Sequence, residues 1–462
     1  MKLSTTLLSM MFSTTILAQG MVDVHSHFIP TEYLSALKSH DMLADEGFPL
    51  PRWNGDEQLK WMDTAGIQTS VLTLAAPHPY FGDALESAKI IRMANKTAAK
   101  LKEEHPDRFL FCAALPLPDV DKAIEEAEYA LDVLHADGIK LATNSRGQYL
   151  GAPELDRLFS VLNERKAVVI IHPHRPEPVS CEVMMQTPLA MQEYLSETTR
   201  AVANMISRNV LARYPEIKIV VPHCGAYLPL AIPRMKALLG VMQANNLVGK
   251  VDWEASLSAL YYDLAGAHSP ETIRMMLTIT TPDHLLYGSD YPYADPQMLA
   301  ESLARMKQYL ATDAALAPFR KMILEHNARR LFGETVESTA ANPAKPAADG
   351  MLVRIAEVEI HPQYVADYLS AAREIERASL AEEPGVVCLF PNQAGEDSTQ
   401  IRILEIYASP EAYQHHLQTA HFQRYKQGTL HMVKALKLQD LKPLDAPSMR
   451  KIFQRMDLWR GE

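Results

Sequence analysis

The stretch MVDVHSHFIP, residues 21–30, governs how the whole chain is read. Met21–Val24 is a short apolar strand candidate, and His25 and His27 stand two residues apart at its C-terminal end. Side chains alternate along a strand, so the two imidazoles point the same way. Two imidazoles on one side can share a divalent ion at roughly 2.0–2.1 Å. An H-x-H pair alone is a weak signal, and its weight comes from its place at the end of a first strand.

The same kind of apolar run recurs seven more times along the chain: Thr69–Leu74, Phe109–Leu115, Gly138–Leu141, Ala167–Ile171, Ile217–Val221, Leu260–Leu264 and Leu285–Tyr287. Amphipathic helical patterns lie between them, among them Ala84–Glu104, Asp121–His135, Ala152–Arg165, Glu193–Arg213 and Pro270–Leu277. Eight apolar strands, each followed by a crossover-length connection, predict a (β/α)8 TIM-type barrel over residues 21–333. A doubly wound sheet would place a Gly-rich turn after the first strand, and none is present.

Barrel enzymes carry their chemistry at the C-terminal ends of strands. His172 follows VVII, His223 follows IVVP and Asp290 follows LLYGS, so strands one, five, six and eight all end in a metal-capable or acid–base residue. The physical reading is one divalent ion held by His25, His27, His172 and Asp290. Open positions on such an ion mark a catalytic site. His223 and Asp290 are the candidate proton carriers. Arg52 and Arg175 are candidates for gripping an anionic group, and His174 is placed to share the cavity.

Composition narrows the class. The chain has 462 residues and a formal net charge of −11, which argues against a dedicated nucleic-acid binder. Four cysteines, Cys112, Cys181, Cys224 and Cys388, show no C-x-x-C spacing and read as unpaired thiols. Residues 1–20 combine Lys2 with the mostly apolar run Leu7–Leu17 and small Ala18, the layout of a secretory signal peptide. The expectation is export to the periplasm or medium, or a cytoplasmic protein if Met21 is the true start. No later run approaches the ~20 apolar residues of a membrane-spanning helix.

Residues 334–350, ETVESTAANPAKPAADG, cannot bury a core and read as a linker. The pattern then restarts over 351–445. Leu352–Ile360 reads as a strand, Gln363–Ala381 as a helix, Val386–Pro391 and Gln400–Tyr407 as strands, Pro410–Gly428 as a helix and His431–Leu438 as a last strand. That β-α-β-β-α-β order predicts a small α+β ferredoxin-like domain. The tail 446–462 carries Met449, Ile452, Phe453, Met456 and Trp459 at helical spacing and reads as an amphipathic helix.

The segments VDVHSHFIP, IIHPHRP, VVPHCGAYLP and LLYGSDYPY resemble the amidohydrolase-related branch that contains metal-dependent, non-oxidative decarboxylases. HPHRPEP, EYLSETTRAVANMI and YYDLAG look most like the 6-methylsalicylate decarboxylases. The resemblance implies one divalent metal, zinc or manganese, on His25, His27, His172 and Asp290, and an acid–base role for His223. It implies loss of CO2 from a small hydroxylated aromatic or unsaturated carboxylic acid. A rival reading uses Lys140, at the end of strand four. Hydrolases of the wider superfamily carry a carboxylated Lys there that bridges two metals, and the reaction would be hydrolysis of an amide, ester or lactone. A third reading is a non-catalytic protein that binds a phenolic acid.

EEPGVV (382–387), ILEIYASPEAYQHHLQTAHFQRYK (403–426) and the final strand resemble the antibiotic-biosynthesis-monooxygenase family. That resemblance implies a homodimer and places Glu405, His416, His421 and Tyr425 toward a cavity. The domain would serve as a dimerisation module or as a quinol-oxidising enzyme. His416 and His421 are five residues apart, a spacing that does not align on one helix as i,i+4 does, so it compels no metal or haem site.

Overall fold

The computed structural model describes residues 20–442, apart from 45–46, 48, 179–187, 246–248, 267, 314–315, 334–350 and 384. The expected leader (save Gly20), the linker, the amphipathic tail and Cys181 lie outside the described residues. The remaining cysteines are free, with Cys112 and Cys224 buried. No helix among the described residues is long and apolar enough to cross a membrane. The chain forms two compact units, one ending at Glu334 and the other starting at Thr335.

The first unit is the expected barrel. Its strands are β1 (Met21–Phe28), β2 (Ile67–Leu74), β3 (Phe109–Ala114), β4 (Gly138–Ala142), β5 (Val168–His172), β6 (Lys218–Val221), β7 (Tyr261–Asp263) and β8 (Leu285–Leu286). They lie side by side in sequence order, and every paired neighbour is parallel. Backbone hydrogen bonds join the two ends: Val24 N–H donates to the Tyr287 carbonyl at 3.0 Å, and Asp290 N–H to the His25 carbonyl at 2.8 Å. One principal helix follows each strand: α1 (Gly55–Ala65), α2 (Ala84–Glu104), α3 (Val120–Asp132), α4 (Asp156–Glu164), α5 (Glu193–Ser207), α6 (Leu228–Ala244), α7 (Pro270–Met276) and α8 (Pro296–Thr312). Helix α2 shows why these segments are helical. Asp83 caps it by accepting from Glu86 N–H at 2.8 Å, and Ser87, Ile91, Ala94, Asn95 and Ala98 form its buried stripe.

Two apolar layers hold the barrel. One, with Phe109, Phe111, Ile139, Val169, Ile171 and Ile219, lies between strands and helices. The other takes Val22, Val24, Val71, Leu110, Val168, Ile170, Val220 and Leu286 from inside the barrel, with Ala328 and Leu331 of the helix Asn327–Leu331 packed against them. Each such side chain contributes about 1.5–3 kcal/mol on burial.

Strand one departs from the expectation in a way that matters. It runs on to Phe28, so His25 and His27 lie within it. Asp23 pairs with Ser70 and Ser26 with Leu72, so β1 spends three residues where β2 spends two. That bulge shifts the alternation by one. Val22 and Val24 can then point into the barrel below while His25 and His27 also point into it above. Two expected helices also break. Glu193–Arg213 is interrupted by Asn209 in the left-handed region, φ 55°, a conformation Asn tolerates.

The second unit is a four-stranded antiparallel sheet in the order β10 (Val386–Gln393), β11 (Gln400–Tyr407), β9 (Leu352–Ile360), β12 (Val433–Leu441). Helix α9 (Val365–Glu382) connects β9 to β10. The expected single helix Pro410–Gly428 is two, α10 (Pro410–Gln418) and α11 (Ala420–Thr429), hinged at Thr419 with extended φ/ψ of −65°/148°. Ala356, Val358, Tyr368, Ala372, Ile375, Ile401, Ile403 and Tyr407 form its core. The ferredoxin-like expectation holds.

Candidate metal centre

The bulged end of β1, the last residue of β5 and the loop after β8 bring His25, His27, His172 and Asp290 together. One ligand atom from each lies within 4.8 Å of the others. Asp290 Oδ1 is 3.4 Å from His25 Nε2 and 3.2 Å from His27 Nε2.

Each imidazole is held from behind. His25 Nδ1–H donates to Asp263 Oδ2 at 2.8 Å. His172 Nδ1–H donates to the Pro173 carbonyl at 2.8 Å. Thr73 Oγ1 gives its proton to the Ser26 carbonyl, so His27 Nδ1–H donates to Thr73 Oγ1 at 2.9 Å. With every Nδ1 carrying the proton, every Nε2 keeps its lone pair. His25 Nε2 is buried and makes no hydrogen bond. Three oriented lone pairs and one carboxylate oxygen are the donor set a divalent ion takes, so these residues fit a metal.

The electrostatics agree. Burial pushes His27 down to about 4, and burial plus the charges of His27 and Lys140 hold His172 well below its ordinary value. Burial also acts to lower His25, but the Asp263 and Asp290 carboxylates outweigh it and raise it well above its ordinary value. Those two acids favour positive charge at this point. Burial would raise Asp290, yet the His223, His25 and His27 imidazoles around it hold it well below the usual carboxylate range.

His223 completes the group. The backbone at His223, Cys224, Gly225 and Ala226 turns through four successive left-handed residues, φ 55°, 52°, 67° and 55°. His223 Nε2 lies 3.6 Å from Asp290 Oδ2. Lys140 is buried on β4, and its charge helps lower His27, His78 and His172. His174 is buried, with its ring 5.9 Å from that of His78 and its Nδ1 accepting from His78 N–H. Arg175 pairs with Glu177 Oε1 at 3.4 Å, and Arg52 is exposed.

In the second unit the four expected residues divide. Glu405 accepts from the Tyr407 hydroxyl at 3.1 Å, and the Tyr425 and Tyr368 hydroxyls meet at 2.6 Å. His416 and His421 instead converge on Glu383.

Residues 22–333 match the family profile described as amidohydrolase, which spans more than half of the chain. This chain belongs to the amidohydrolase family. Residues 351–428 match the profile described as antibiotic biosynthesis monooxygenase. A decarboxylase of Aspergillus niger is 34% identical over 328 residues, covering 67% of this chain and 87% of its own length. A 6-methylsalicylic acid decarboxylase of Aspergillus aculeatus is 29% identical over 320 residues, 67% of this chain and 95% of its own. A solved structure described as an amidohydrolase II is 33% identical, with a TM-score of 0.63, over 68% of this chain and 100% of that one. A dihydroxybenzoic acid decarboxylase of Polaromonas with bound manganese and 2-nitroresorcinol shares the fold, at 20% identity and TM-score 0.55, over 68% of this chain and 97% of that one.

The amidohydrolase barrel uses residues that the strand-end reading passed over. Asp263 ends β7 and obeys the same rule as His172. Besides His25, it accepts from the backbone N–H groups of His223 and Ala265, both at 3.0 Å. Asp23 accepts from Ser289 Oγ at 2.6 Å and from the N–H groups of Ser289 and His25 at 3.0 and 3.1 Å. Gly288 is required by close approach, since a Cβ there would meet His25 Cβ at 2.7 Å.

Proposed function

We propose that the barrel is a metal-dependent carboxy-lyase that removes CO2, without oxidation, from a small hydroxylated aromatic carboxylic acid. The observation that carries this reading is the convergence of three back-braced imidazole Nε2 atoms and Asp290 in a barrel whose relatives include decarboxylases. His25, His27, His172 and Asp290 would hold a divalent ion, zinc or manganese, which would supply Lewis-acid polarisation to an acid substrate.

The chain's own residues do the rest. Lys140 lies within electrostatic reach of His27 and His172, and its ammonium favours an anionic substrate. The carbon that loses CO2 must gain a proton. His223 Nε2 and Asp290 Oδ2, 3.6 Å apart, form the pair that holds and passes it. A contribution of roughly 10²–10⁴-fold is usual for such a group. Arg175 shares its charge with Glu177, so its expected grip on substrate is secondary.

One observation keeps the hydrolase reading in play. Lys140 is buried on β4 within electrostatic reach of His27 and His172, the position a carboxylated bridging Lys would need. Products separate the two. Metal-loaded protein is incubated with a panel of hydroxybenzoates and lactones, and CO2 and ring-opened acid are measured separately. CO2 release from a hydroxybenzoate is expected, with loss of turnover after chelation and in His25→Ala. Ring-opened acid without CO2 would replace the carboxy-lyase by a hydrolase.

We also propose that the second unit pairs two chains as a homodimer. Leu436 and Leu438 lie opposite Val358 and Ala356, extending the apolar face of the sheet, yet stand 58% and 46% exposed. The composition of residues 1–20 supports export. Sequencing the mature N-terminus tests that, and a chain retaining Met1 refutes it.

A further inference from the structure

We infer that Glu383, His416 and His421 form a second metal site, for a divalent first-row transition metal ion, in the C-terminal unit. His416 lies in the last turn of α10 and His421 in the first turn of α11. On one continuous helix, residues five apart would diverge. The extended backbone at Thr419 turns α11 relative to α10, and the two rings face each other across Glu383, which follows α9 directly.

Glu383 Oε1 is 2.8 Å from His416 Nδ1 and 2.5 Å from His421 Nε2. One donor atom from each of the three lies within 4.8 Å of the others. Glu383 and His416 are 3% and 2% exposed, and His421 is 9% exposed. The second carboxylate oxygen, Oε2, is buried and makes no hydrogen bond. His415 Nδ1 stands 3.9 Å from it on a half-exposed side chain, marking the solvent side of the cluster.

Two imidazoles and one carboxylate suit Zn(II), Co(II) or Fe(II), and three protein ligands leave coordination positions open. Donors about 2.1 Å from one tetrahedral ion stand about 3.4 Å apart. The carboxylate oxygen therefore needs to withdraw by less than about an ångström to admit the ion. The site shares no residue with the barrel centre.

The test reads zinc per chain in the untagged full-length protein after equilibration with Zn(II) and gel filtration. Glu383→Gln keeps an acceptor for both imidazoles and removes the charge. It is expected to lose one zinc per chain relative to the parent, as is His421→Ala, with the metal-free circular dichroism spectrum unchanged in Glu383→Gln. The barrel variant His27→Ala/His172→Ala is expected to keep one zinc. With Co(II) it should show visible absorption bands that disappear when Glu383→Gln is added. Equal zinc in the parent and Glu383→Gln, or no metal in the barrel variant, would overturn the site and leave a plain hydrogen-bonded cluster. Because the barrel is blocked separately, failure of the decarboxylase reading would not alter this result.

Discussion

Asp263 joins His25 Nδ1, His223 N–H and Ala265 N–H through a single buried carboxylate. Asp263→Asn keeps the shape and removes the charge that braces His25. Loss of such a brace costs metal affinity about 10–100-fold. Competition with a chromophoric chelator should show that loss with the fold intact, and unchanged affinity would mean the brace is idle. Asp23 offers a pH test. Burial pushes its carboxyl up to about 7 from an ordinary 3.8, against hydrogen bonds from Ser289 and His25 that lower it. Between those values the folded state keeps a proton that the unfolded state has lost, so stability falls as pH rises through that window. His27 and His172, held below their ordinary values, act with the opposite sign over much of the same range, so the Asp23 share is read by difference. In metal-free protein the denaturant midpoint of the parent relative to Asp23→Asn should decline from about pH 4 to about pH 7. At this scale the histidines were legible, because strand ends in a barrel are where chemistry sits. Glu383 was not, because its partners lie 33 and 38 residues away.

Elements decide where those residues point. Strict alternation along β1 sets Val22 and Val24 on one face and His25 and His27 on the other. The extra residue opposite β2 lets both pairs enter the barrel, a displacement that no periodicity in one strand displays. Thr419 plays the same part in the second unit. Its hydroxyl donates to the His416 carbonyl at 2.9 Å and accepts from Phe422 N–H at 3.3 Å, ending one helix and capping the next. Thr419→Ala removes both bonds. It should cost the second unit about 1 kcal/mol, read as a lower urea midpoint for that unit. A midpoint equal to the parent's would assign the hinge to packing alone. The break was not legible because His416, Leu417, Phe422 and Tyr425 satisfy a helical pattern on either side of it.

Across the molecule, each of the two units has its own core. The exposed leucines on β12 predict the assembly state. Leu436→Glu with Leu438→Glu should reduce the light-scattering mass from two chains to one, because charge on a buried apolar face is strongly unfavourable. A mass of two chains in that variant would move the interface elsewhere.

The order of residues alone dictates the two fold classes, the extent of the barrel and the residue types at its strand ends. Apolar runs, their spacing and the residue after each run are local properties, and local properties are written in the chain. Folding in three dimensions settles which groups brace the histidines, how β1 turns four side chains inward, and that His416 and His421 meet on Glu383. Those outcomes depend on strand register, on a bulge defined only against a neighbouring strand, and on a helix hinge whose value lies in what it brings together. Contacts between distant positions are settled by packing, and packing exists only once the chain has folded.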